Sequence, residues 1–252
     1  SIILVFYRKG IFMRKFLLSS ILTTSFLSLS FADGQWGYTA EIAPEKWGEL
    51  DAKFATCSTG FNQSPINIQN AKNSVLEKLE LNYKKGDADI INNGHTIQVT
   101  PKTDSTLTLD GETYKVLQFH FHSPSENLID GKSYPLEVHF VHQNTQGQLA
   151  VFGILYSEGE ENIELNKLWK AMPKEQKNSI QDVNPRQLVP DSFKYYRFSG
   201  SLTTPPCTEG IIWLIADQHP TVSKAQIELF NSTMTHPTNR PVQPIHGRVI
   251  NH

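Results

Sequence analysis

Between residues 87 and 156 the chain passes through six short runs in which apolar and polar residues tend to alternate: DADIIN, HTIQVT, STLTLD, ETYKVLQFHFH, PLEVHFVH and QLAVFGILY. A period of two sends successive side chains to opposite faces of a strand and does not suit a helix. The runs are punctuated by Asn93-Gly94, Asp110-Gly111, Asp130-Gly131 and Gln146-Gly147, turn dipeptides of the kind that join antiparallel strands. Helical patterns are few. One is ENIELNKLWKAM around 161–172, and the other is SKAQIELF from 223, where Ser223 and Gln226 have the spacing of a capping box. The proline-rich stretches TTPPC (203–207) and HPTNRPVQP (236–244) exclude regular structure and are expected as ordered loops packed on the sheet. The architecture predicted is β-dominated (α+β) with peripheral helices. No internal repeat or low-complexity linker divides residues 33–252, so these form one domain.

The first 32 residues have a different character. MRKFLLSSILTTSFLSLSFA has a basic start at Arg14 and Lys15, an apolar stretch, and a small-residue end at Ser30 and Ala32, which reads as a secretory signal over residues 1–32. A membrane anchor is the alternative, but the apolar run is short for a bilayer span and rich in Ser and Thr. Met13 reads as the natural start, with residues 1–12 either upstream sequence or part of a longer anchor. This segment holds four basic side chains (Arg8, Lys9, Arg14, Lys15) and no acidic one, so without it the formal net charge of −2 becomes −6. Such an acidic chain is a poor nucleic-acid binder, and after residue 32 no apolar run is long enough to span a membrane. The mature protein is expected to be soluble, and periplasmic or secreted. Its two cysteines, Cys57 and Cys207, would then meet an oxidising compartment that favours a disulfide, with two free buried thiols as the alternative.

The chemistry concentrates in QFHFH, residues 118–122. On a strand, Gln118, His120 and His122 share one face while Phe119 and Phe121 share the other. Two buried imidazoles on one face need partners for four ring nitrogens or a shared ion. The next strand, PLEVHFVH, carries Glu137 and His139 on one face, and pairing the two strands as a hairpin brings His139 beside His120 and His122. His142 has the opposite parity and faces away. Three imidazoles on rigid strands leave a fourth tetrahedral position open, the arrangement of catalytic zinc. Gln118 and Glu137, each two residues before a histidine, are placed to accept its second N–H. The same histidines with Glu126 also match part of a cupin metal motif, in which Glu126 would be a ligand.

Eight segments in order then resemble the α-class carbonic anhydrases, in the exported bacterial form: QWGY (35–38), QSPINI (63–68), NNGH (92–95), QFHFH (118–122), SEN (125–127), PLEVHFVH (135–142), SGSLTTPPCTEG (199–210) and NRPVQP (239–244). The resemblance implies a single domain around a large, mostly antiparallel twisted central sheet with short peripheral helices, and Zn2+ held by His120, His122 and His139. It implies reversible hydration of carbon dioxide to bicarbonate and a proton: zinc lowers the pKa of bound water to about 7, a value that comes from this family itself, and the hydroxide so formed attacks the substrate.

By the same resemblance Thr203 and Glu126 orient the nucleophile, Thr204 helps hold bicarbonate, and Val141, Val151, Leu202 and Trp213 line an apolar site for carbon dioxide. His95 matches the family's proton shuttle, while Tyr38, Asn93 and Gln98 match positions that order water between metal and shuttle. Cys57 and Cys207 match the disulfide of exported members. Asn127 departs from the family, which often has histidine there, and puts a supporting hydrogen bond in doubt. Bacterial members are often dimers, so a homodimer is expected by analogy alone. Two other readings stay open on the residues: a non-catalytic zinc-binding module of the same fold, and a cupin-type metal enzyme.

Overall fold

Each of the six alternating runs is a strand in the computed structural model, which describes residues 35–173 and 177–252. The signal segment proposed at residues 1–32 lies outside the described residues. Among the described residues the main sheet has eleven strands, and its central path runs Lys177–Val183, Gly86–Asn92, Ile97–Pro101, Glu112–His122, Leu136–Gln143, Leu149–Glu158, Glu209–Ala216, Tyr195–Ser201. Along that path only Leu149–Glu158 and Glu209–Ala216 pair in parallel; the remaining neighbours are antiparallel. The sheet is large, twisted and mostly antiparallel, as the resemblance implies.

Turn chemistry explains the central hairpins. Asp110 and Gly111 both take positive φ (51° and 77°), the geometry a two-residue hairpin loop needs to match strand twist. At Asn93-Gly94 the reversal is longer. Asn93 Oδ1 accepts the backbone N–H of both His95 and Thr96 at 2.9 Å, so the strand predicted from His95 begins at Ile97.

The sheet's two faces differ. On one, Phe119, Phe121, Phe140 and Phe152 are fully buried in the larger core. Two helices cover it, Ile163–Ala171 and Lys224–Met234, with Trp169 set edge-on to Phe121 at 4.8 Å and stacked on Phe230 at 5.5 Å. Lys224–Met234 starts at the capping box read from sequence: Ser223 Oγ accepts the N–H of Gln226 while Gln226 Oε1 accepts that of Ser223. The other face carries the histidines and a second apolar cluster around Trp213. His142 lies on the phenylalanine side, where its Nε2 accepts from the Tyr83 hydroxyl at 2.8 Å and its Nδ1 donates to the Ala150 carbonyl at 3.2 Å.

Three strands of the path escaped the pattern reading. IIWLIA, within Glu209–Ala216, is continuously apolar because it pairs in parallel deep in the sheet, where both faces are covered. Tyr195–Ser201 pairs with it through an irregular register, and the edge strand Lys177–Val183 buries only Ile180 and Val183. Both proline-rich stretches are loops, and the second buries Thr238 and Arg240 beneath the sheet's functional face.

Candidate metal centre

Register brings the three histidines together. Glu112–His122 pairs antiparallel with Leu136–Gln143 so that His120 stands directly opposite His139 and His122 opposite Glu137. The ring centroids are 5.0 Å apart for His120 and His122, 5.4 Å for His120 and His139, and 4.6 Å for His122 and His139. One nitrogen from each lies within 4.8 Å of the others, and among the described residues this is the group of three able to share a metal ion.

The remaining nitrogens are tied down. His120 Nδ1 donates to Gln118 Oε1 at 2.8 Å, His122 Nδ1 to the Thr238 carbonyl at 2.5 Å, and His139 Nε2 to Glu137 Oε1 at 2.8 Å. These bonds leave the lone pairs of His120 Nε2, His122 Nε2 and His139 Nδ1 for the shared space. Burial holds all three imidazoles below the ordinary histidine pKa, strongly so for His120 and His139, where neighbouring rings add to the effect. Neutral imidazole is the form that ligates. Gly153 sits opposite His139 and makes room for this pair: a Cβ there would meet Ile215 Cδ1 at 2.5 Å and Glu137 Oε1 at 3.2 Å.

Two buried carboxyls back the cluster. Glu137 accepts from the backbone N–H groups of Glu126 (2.7 Å) and Asn127 (2.9 Å) and from Asn127 Nδ2 (2.8 Å), besides His139. Burial raises its pKa, and the Asn127 donors oppose that rise. Asn127 therefore does hold the carboxylate, and its Oδ1 also accepts the N–H of Ile66 at 3.1 Å. Glu126 Oε1 accepts the backbone N–H of Arg240 at 2.8 Å, while Oε2 has no close hydrogen-bond partner and lies 3.4 Å from His122 Nε2 and 3.8 Å from His139 Nδ1. Burial pushes the Glu126 carboxyl well up; the Arg240 N–H and the neighbouring Thr203 hydroxyl act the other way.

Of the other expected residues, Gln98 and Trp213 adjoin the histidines. Gln98 is directly across the sheet from His120. Trp213 meets His139 edge-on at 4.9 Å, and Val151 is the register partner of both Trp213 and Val141, with Leu202 packed against the same cluster. Thr204 accepts the N–H of Cys207 through its carbonyl. His95 stacks flat on Trp36, with centroids 3.6 Å apart and planes 9° apart, and burial lowers its pKa. Its Nδ1 and the Tyr38 hydroxyl are buried without a protein partner. The Oδ1 of Asn93 is committed to the turn. Cys57 and Cys207 are joined in a disulfide.

Sequence reasoning missed two supports. Arg240 is fully buried and donates to Gln63 Oε1, the Ser64 carbonyl and the Cys57 carbonyl, each at 2.8 Å. Thr238 orients His122 through a backbone carbonyl, which has no side-chain signature; only its place in the HPTNRPVQP stretch hinted at it.

Known proteins align with this arrangement. The family model for the eukaryotic-type carbonic anhydrase matches residues 42–252. A carbonic anhydrase of Pectobacterium atrosepticum is 46% identical over 242 residues, covering 94% of this chain and 99% of the relative. The solved α-carbonic anhydrase of Thermovibrio ammonificans, in complex with the inhibitor sulfanilamide, superposes with a TM-score of 0.85 at 40% identity, covering 88% of this chain and all of that one. A hyperthermostable carbonic anhydrase from a hydrothermal vent chimney reaches 0.84 at 44% identity, over 86% of this chain and 99% of that one.

Proposed function

The chain belongs to the eukaryotic-type, or α-class, carbonic anhydrase family and is an enzyme of carbon dioxide hydration, and on that premise we propose that it works with zinc held by His120, His122 and His139. The cupin reading falls with the family and its fold. The observation that carries the proposal is the division of the ring nitrogens: in each histidine one is bonded to an acceptor and the other is turned toward the common space. His122 Nε2 is buried with no hydrogen-bond partner, a state that costs about 1–3 kcal/mol if nothing answers it. A neutral three-nitrogen set with an open fourth position fits zinc. Zinc there supplies the Lewis acidity that brings the ionisation of water into the neutral range.

The surrounding residues divide the remaining work. Glu126 Oε1 is occupied by the Arg240 N–H, so Oε2 is the acceptor left for the Thr203 hydroxyl. With its proton directed to Glu126, Thr203 Oγ1 presents only lone pairs and accepts, without donating, a hydrogen bond from water in the site. Val141, Val151, Leu202 and Trp213 form a wall suited to carbon dioxide, which carries no charge to grip, and Thr204 borders the position for bicarbonate. His95, kept neutral by burial, takes the proton on its unpartnered Nδ1, and water ordered by Tyr38, Asn93 and Gln98 connects it to the centre. The disulfide and the signal-like residues 1–32 support export to a periplasm or beyond the cell.

Stopped-flow hydration of carbon dioxide, measured with zinc content before and after chelation, tests the proposal. Fast hydration that is lost with the metal and restored by zinc is the expected result, with metal retention and activity both abolished in His139→Ala. Activity that survives His139→Ala would sink the ligand assignment. A folded, zinc-loaded protein without hydration would point to a zinc-binding module instead.

A further inference from the structure

A row of four rings borders the proposed proton exit. His95 lies flat on Trp36 at 3.6 Å, Trp36 meets Tyr38 edge-on at 5.8 Å, and Tyr38 faces His236 at 5.8 Å with planes 33° apart. Trp47, completely buried, supports the middle of the row, 5.3 Å from Trp36 and 5.7 Å from Tyr38. An imidazole thus stands at each end of one contiguous row of aromatic rings. We propose that His236 is a second proton-relay residue of this enzyme, taking protons from His95 or directly from the centre through water held along the Trp36–Tyr38 pair.

Three observations support the assignment. His236 is anchored: its Nδ1 donates to the Pro237 carbonyl at 2.9 Å, which leaves Nε2 to accept a proton, and two residues on, Thr238 is buried in the wall of the site. The stretch between the two histidines holds polar atoms that need water, since Tyr38 Oη and His95 Nδ1 are both buried without a protein partner. The two imidazoles also share a field. Burial, and after it the charge of His236, lowers the basicity of His95; burial, and after it the charge of Glu126, raises the pKa of the Tyr38 phenol. A relay of two imidazoles offers solvent two exits in place of one.

This inference rests on the carbonic anhydrase reading, and its test separates the two. In zinc-loaded protein, the His95 imidazole is titrated by NMR in wild type and in His236→Ala; the substitution is expected to raise the His95 pKa. Hydration turnover is then measured at low buffer in wild type, in His95→Ala, in His236→Ala, in His236→Asn and in the double alanine variant. The double variant is expected to turn over about threefold more slowly than His95→Ala, with the deficit restored by imidazole buffer. His236→Asn, which keeps a donor for the Pro237 carbonyl, should match His236→Ala. An unmoved His95 titration, a double variant equal to His95→Ala, or a His236→Asn enzyme equal to wild type each overturns the relay. Absence of hydration in wild type would instead refute the carbonic anhydrase mechanism, while the NMR titration still reports on the coupling.

Discussion

Asn127 shows how a single side chain can keep a site together with different chemistry. Its carboxamide donates to Glu137 and accepts from Ile66, so one residue links the carboxylate behind His139 to the QSPINI segment. Asn127→Ala should weaken zinc retention about 10- to 100-fold, the usual cost of losing such an outer partner, measured by competition with a chelator. Retention equal to wild type would show the two backbone N–H groups to suffice. His142, on the far side of the same strand, makes a pH prediction. Burial lowers its pKa from 6.5 to about 4, so below pH 6.5 the unfolded chain takes a proton that the folded one refuses. The stability this supplies is complete above pH 6.5 and is lost as pH falls toward 4, up to about 3 kcal/mol. Thermal melts across that window should fall more steeply for wild type than for His142→Gln; parallel curves would remove His142 from the acid limb. The parity of His139 and His142 was legible in PLEVHFVH, and with it the place of His139 beside His120 and His122; that His142 would meet Tyr83 was decided by what packs on the other face.

At the level of elements, the site depends on strand register more than on loops. His139 faces Gly153 across one strand pair and His120 across the other, so the absence of a side chain at Gly153 sets how closely Glu137 and His139 can approach the next strand. Gly153→Ala should destabilise the fold by about 1–3 kcal/mol through overpacking and weaken zinc binding by displacing Glu137. Denaturant melts and metal titration check this together, and a stable variant with unchanged zinc affinity would contradict it. The strands carrying the histidines were readable from their period of two and their turns. The strand Glu209–Ala216 was not, because a segment buried on both faces loses its alternation, and neither was the edge strand Lys177–Val183, which has little apolar surface to alternate.

Across the whole molecule, the Cys57–Cys207 bond joins segments 150 residues apart and touches the site from two sides. Cys207 lies on the loop that carries Thr203, and the Cys57 carbonyl accepts from Arg240, whose own N–H holds Glu126. Closing so long a loop stabilises the fold by about 5 kcal/mol in the simple entropic model. Reduction under native conditions should lower hydration activity before the sheet unfolds, read by parallel assays of activity and circular dichroism; full activity with a lowered melting temperature would show the bond to act on stability alone. The sequence by itself determined the β-rich architecture, the capped helix, the shared face of His120 and His122 and the family, because these follow from local period, turn chemistry and ordered motifs. Tertiary structure alone decided which nitrogen of each histidine is free, how Arg240 and Thr238 reach the centre, and that His95 and His236 flank one row of aromatic rings. The contacts of His122, Arg240, His95 and His236 join residues more than 50 positions apart, and the choice of nitrogen at His120 and His139, made with residues two positions away, follows the packing around the rings, which no local pattern records.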